Sequence, residues 1–85
     1  MESFTYTIKC EIGIHARPAA MLVKQTQSYT SEVILSAQGK RANAKKLLAV
    51  LKLGVSKEVK VTVTLEGPDE AKEAQILEQY FQKNL

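Results

Sequence analysis

Val59-Lys60-Val61-Thr62-Val63-Thr64-Leu65 alternates apolar and polar side chains without a break. This period of two puts Val59, Val61, Val63 and Leu65 on one face and Lys60, Thr62 and Thr64 on the other, a pattern suited to a half-buried strand. A strand with one apolar face requires a second layer to cover it. Glu66-Gly67-Pro68 stops the strand, and the residues beyond change to a helical period. Asp69 is placed to cap a helix running to about Lys83, with Glu70 and Glu73 in its first turn complementing the dipole. Ala74, Leu77 and Phe81 form the inner stripe, helped by Ala71 and Tyr80.

Toward the N-terminus the same two periods recur. Phe4 to Cys10 predicts a strand with Phe4, Tyr6, Ile8 and Cys10 on its inner face. Gly13 interrupts it. From Ala16 to about Gln27, the residues Ala19, Leu22, Val23 and Thr26 fall at helical spacing. Pro18 fits only in the first turn, which fixes the helix start near His15 and sets Arg17 at its very beginning. Glu32 to Ala37 predicts a second strand, Gln38-Gly39 a turn, and Lys40 to Asn43 a return strand. Asn43 is placed to cap a short helix, Leu47 to Leu53, that Gly54 ends. The order β-α-β-β-α-β-α predicts an α+β fold. It is an open-faced two-layer β-sandwich, a four-stranded antiparallel sheet with three helices on one face, formed by residues 1–85 as a single domain.

Twelve basic and nine acidic residues give a net charge of +3. Lys40, Arg41, Lys45, Lys46 and Lys52 crowd the middle of the chain, while the acids gather after Glu66. With Arg17 and Lys24 the middle forms either one basic surface facing an acidic partner or ordinary solvated faces. No exposed aromatics are interleaved with the lysines, so nucleic acid is not an expected partner. One cysteine, Cys10, excludes an internal disulfide and any multi-cysteine metal site. No signal peptide or membrane-length apolar run is visible, so the expected location is the cytoplasm, without membrane insertion.

The candidate site is Gly13-Ile14-His15-Ala16-Arg17-Pro18-Ala19-Ala20. His15 is the sole histidine, and a neutral imidazole is a competent nucleophile near neutral pH. Arg17 supplies a permanent cation with a multi-donor fork for phosphate oxygens. The opening N–H groups of a helix, here at Ala16 and Arg17, also favour anions. No metal set, cofactor motif or paired base accompanies the histidine, so a self-contained enzyme is not expected.

The stretch from Gly13 to Ala19 resembles the active-centre motif of the HPr family, the histidine-containing phosphocarriers of the bacterial phosphoenolpyruvate-dependent sugar phosphotransferase system. The resemblance runs over essentially the whole chain, including Ser31-Glu32-Val33, Gly39-Lys40, Asn43-Ala44-Lys45 and Leu53-Gly54. It implies that His15 accepts a phosphoryl group at Nδ1 from Enzyme I and passes it to IIA domains of sugar permeases, with Arg17 steadying the phosphate. It further implies a docking surface of Leu47, Leu48 and Leu51 with Ala20, Met21 and Gly54, ringed by Arg17, Lys24, Lys45 and Lys52. The protein is then a monomeric carrier rather than an enzyme. Many family members carry a regulatory serine where this chain has Lys46, so control by phosphorylation at that position is not expected. The alternative is an HPr-like paralogue acting mainly as a phosphorylation-switched regulatory binding protein.

Overall fold

The computed structural model describes residues 1–11, 14 and 16–85. The elements are β1 (Glu2–Thr7), α1 (Ala16–Gln27), β2 (Glu32–Ala37), β3 (Lys40–Asn43), α2 (Leu47–Leu53), β4 (Lys60–Glu66) and α3 (Glu70–Asn84). The strands form one antiparallel sheet in the order β1-β4-β2-β3. The most regular alternation in the sequence thus becomes an inner strand, paired on both sides. Val63 lies opposite Phe4 on β1 and Leu35 on β2, so three apolar positions stack across the inner face. Thr62 and Thr64 face the other way. The Thr62 hydroxyl meets that of Thr5 at 3.4 Å on the open side of the sheet.

The three helices cover the inner face, giving the open-faced α+β sandwich expected from the element order. Their buried stripes are Ala19, Leu22, Val23 and Thr26 on α1, Val50 and Leu53 on α2, and Ala74, Leu77 and Phe81 on α3. Phe81 meets the rings of Phe4 and Tyr6 edge-on, with centroids 5.6 and 5.7 Å away. Such pairs contribute beyond simple area burial. The β2–β3 turn places Gln38 at φ 53° and Gly39 at φ 79°. Two successive left-handed residues match the right-handed strand twist, and the glycine adopts that geometry without penalty.

Four local expectations differ from the structure. The first strand ends at Thr7 rather than Cys10, because Glu58 turns to φ 75° and its neighbours leave the ladder. Ile8 still exchanges backbone bonds with Glu58 and Val59, at 2.8 and 3.0 Å. Lys9 and Cys10 donate instead to the Leu85 main-chain oxygen, at 2.7 and 2.8 Å. Asn43 does not cap α2; its Oδ1 accepts the Lys45 N–H at 2.9 Å and closes the turn before the helix, leaving Lys46 as the N-cap residue without a side-chain cap. Asp69 stands at the N-cap position of α3, but its carboxylate accepts the Thr30 hydroxyl at 3.1 Å instead of a helix N–H. Ala71 is exposed, and Glu73 is the buried first-turn residue.

Glu73 holds a corner of the fold. Its carboxylate accepts the backbone N–H of Thr30 at 2.8 Å and that of Ser31 at 3.0 Å, tying α3 to the start of β2. Burial works against its charge, yet the donors of Ser31 and Thr30 outweigh it and hold the carboxyl below the ordinary value. Gly67 presses against the same corner. A Cβ there would lie 2.7 Å from the Ser31 Cα, closer than any side chain can sit.

Candidate functional site

The site is built around the start of α1. The helix begins at Ala16 and carries Pro18 within its first turn, where the missing N–H removes a donor that has no helical partner in any case. Immediately before the motif's histidine in sequence, Ile14 is buried and its N–H donates to the Val55 carbonyl at 2.9 Å. The chain is therefore anchored on one side by core packing and on the other by a helix. His15, the expected phosphoryl acceptor, lies outside the described residues, as does Gly13.

Ala16 and Arg17 are both exposed, at the end of α1 where unpaired N–H groups gather. Among the described residues, the ion pairs join the Met1 amino group to Glu70 and Lys57 to Glu11, so no carboxylate within the described chain neutralises Arg17. Lys24 is exposed two turns further along α1. Ala20 is also exposed and lies between them at the i+3 position from Arg17, on one helical face.

The short helix α2 packs beside α1. Its position is set by three hydrogen bonds between the segment leading into it and the far end of α1 or the chain just past it. The Thr26 hydroxyl, fully buried, lies 2.9 Å from the Ala44 carbonyl and donates to it. Gln27 Nε2 donates to the Lys45 carbonyl at 3.3 Å, and Lys45 Nζ donates to the Tyr29 carbonyl at 2.7 Å. Lys45 is thus half-buried and committed to the chain just past α1, rather than standing in the basic ring. A cation at that end also complements the helix dipole.

Seven residues of α2 divide between two faces. Val50 and Leu53 are buried, Leu51 is half-buried against the core, and Leu47 and Leu48 are 39% and 72% exposed. Gly54 closes the helix at φ 63°, its N–H reaching the Leu51 carbonyl at 3.2 Å, and Val55 beyond it is the residue that holds Ile14. The end of α2 is therefore one hydrogen bond from the motif. Nothing in the residue pattern marks that link beyond the apolar character of Ile14 and Val55.

Two members of the expected docking surface also line hollows at its flanks. Met21, 50% exposed, lines a surface hollow of ≈ 400 Å³ with Lys24, Gln25, Ser28 and Tyr80, between α1 and α3. Burial pushes the Tyr80 hydroxyl above its ordinary value, so it stays a neutral phenol there. Lys52 lines a different hollow, beside β3, with Lys40, Arg41, Ala49 and Leu53. Arg17, Ala20 and Lys24 on α1 and Leu47, Leu48 and Leu51 on the adjoining α2 remain as one candidate surface.

The arrangement offers unpaired N–H groups and an exposed guanidinium at a helix start, next to an apolar helix; among the described residues, no helix is long and apolar enough to cross a membrane. A family model described as the PTS HPr component phosphorylation site matches residues 2–83. The chain is similar to HPr-C-His from Thermoanaerobacter tengcongensis, with 32% identity and a TM-score of 0.93 over 99% of this chain and 94% of that one. It resembles the phosphocarrier protein HPr of Bacillus anthracis at 25% identity and a TM-score of 0.87, covering 94% and 95% of the two chains. The catabolite repression protein Crh of Bacillus subtilis, solved as a domain-swapped dimer, is 34% identical with a TM-score of 0.76, covering 94% and 92%. Motif, element order and superposition agree: the chain belongs to the HPr family of phosphocarriers.

Proposed function

We propose that this protein is a phosphoryl carrier that accepts phosphate from phosphorylated Enzyme I on His15 and passes it to IIA domains of sugar permeases. The observation that carries this reading is the start of α1, which places exposed Ala16 and Arg17 directly after the histidine in sequence. The neutral imidazole of His15 attacks phosphorus in line, and the new N–P bond forms as the donor's bond to phosphorus breaks. Transfer onward reverses the exchange and returns a neutral imidazole. Arg17 and the opening N–H groups hold the phosphate oxygens. A helix-dipole contribution of about 0.3–1 kcal/mol is small enough to leave the group transferable. Ala20, Lys24, Leu47, Leu48, Leu51 and Gly54 form the surface that both partners cover in turn, flanked by Met21 and Lys52.

Incubation with phosphoenolpyruvate and a compatible Enzyme I should add one acid-labile phosphate to the wild-type chain and none to His15→Ala. Labelling of His15→Ala to the wild-type level would overturn the site assignment. The carrier acts as a cytoplasmic single-domain monomer. Light scattering after size exclusion should give one chain's mass, 9.4 kDa.

A second reading, a regulatory binding protein, draws on the similarity to Crh. Lys46 is exposed at the N-cap of α2 and offers no hydroxyl to a kinase, so such regulation would run through His15 alone. Pull-downs with unmodified and His15-phosphorylated protein separate the two. Partners that change with phosphorylation of His15, without transfer to any IIA domain, would favour the regulator.

A further inference from the structure

The basic residues of the middle segment do not all stand together. Lys45 is tied to the Tyr29 carbonyl, whereas Lys40 and Arg41 on β3 and Lys52 on α2 converge on a hollow of ≈ 290 Å³ whose other lining residues are Ala49 and Leu53. Leu53 is buried and Ala49 half-buried, so the floor is apolar and the rim cationic. The rim has no acid in it. Among the described residues the ion pairs are Met1 with Glu70 and Lys57 with Glu11, neither of which neutralises these three cations. The hollow also lies at the sheet's edge, since β3 pairs with β2 alone.

We propose that this hollow is a docking site for an acidic segment of a partner protein, beside the surface around the start of α1 and sharing only Lys52 with its flank. Charge complementarity selects the occupant. Three like charges facing one depression repel each other until carboxylates enter, and the Arg41 fork can take one carboxylate in a bidentate pair. The shape argues against a small polyanion. A metabolite site buries most of its ligand among groups held in place, whereas these side chains are long and exposed, with only a shallow apolar floor. A carboxylate-rich chain laid along the groove gains from each cation without needing such preorganisation. Its binding should be electrostatic in character, fast and sensitive to salt.

Amide chemical-shift mapping of the full chain with an acetylated hexaglutamate peptide tests the proposal. The largest shifts should fall at Lys40, Arg41, Ala49, Lys52 and Leu53. Arg41→Glu/Lys52→Glu should raise Kd about tenfold, and Arg41→Gln/Lys52→Gln, the milder pair should the reversal unfold the chain, about threefold. Lys60→Glu/Lys72→Glu changes the net charge as much as the first pair but lies elsewhere, and should raise Kd less than about twofold. Equal weakening by the two reversed pairs would reduce the effect to net charge and overturn the site. Tighter binding of inorganic triphosphate or of a DNA dodecamer at the same five residues would overturn the choice of occupant.

Discussion

Arg17 is the residue whose chemistry is most exposed to test, because it is solvent-accessible, unneutralised among the described residues, and set by the first turn of α1. Its guanidinium gains charge-assisted hydrogen bonds only when phosphate is present. Arg17→Ala should therefore slow phosphoryl transfer from Enzyme I by roughly 10- to 100-fold, the equivalent of one such contact, while leaving the thermal midpoint unchanged. Arg17→Lys keeps the charge but loses the planar fork, and should fall between the two. A stopped-flow transfer assay reads both, and an unaltered rate in Arg17→Ala would remove the residue from the phosphate site. This part of the site is legible from sequence because it is local: Pro18 and helical periodicity fix the helix start, and Arg17 follows the histidine by two positions. The clasp of Ile14 onto Val55 is not legible, since its partner is supplied by the far end of α2.

At the scale of the element, α2 separates stability from docking along a single helix. Leu48 is 72% exposed and Val50 is fully buried, two positions apart. Val50→Ala should cost about 2–3 kcal/mol in urea denaturation, two methyl groups plus the cavity they leave. Leu48→Glu should change stability by less than about 0.5 kcal/mol, yet weaken Enzyme I binding measured by calorimetry. Equal binding by Leu48→Glu and wild type would exclude the leucine face from docking. The longer elements were readable because they carry a period of two or 3.6, and the short β3 and α2 because turns bound them, such as Gly54 in its left-handed cap. The caps were not. Asn43 and Asp69 stand where capping residues stand, but Asn43 bonds within its own turn and Asp69 meets Thr30, 39 positions away in sequence. Local chemistry identifies a residue able to cap, while tertiary contacts decide what it bonds. Lys52 illustrates the same limit: helical spacing assigns it to α2, but only the fold sets it beside Lys40 and Arg41.

For the molecule as a whole, the two layers meet in a buried carboxylate as well as in a hydrophobic core. Glu73 joins α3 to the loop that leads from α1 into β2, and Gly67 packs on the Ser31 side of that joint. Because the folded carboxyl sits below its ordinary value of 4.5, the unfolded chain binds the proton more tightly. Glu73 thus contributes stability that is complete above about pH 4.5 and is lost as pH falls through the lower folded value. Glu73→Gln keeps the size but offers one neutral acceptor to two N–H donors. It should cost about 2 kcal/mol at pH 7, the worth of a hydrogen bond to a charged group, and progressively less as pH falls below about 4.5 toward the lowered folded value, where the wild-type carboxyl takes up its own proton. The half-buried Glu70, lowered by its pairing with the Met1 amino group, titrates in both proteins and cancels from the difference. Urea denaturation of both chains from pH 3 to pH 7 measures the narrowing gap. A gap constant across that range would mean that Glu73 holds the corner by shape alone, and that its charge contributes nothing to joining the layers.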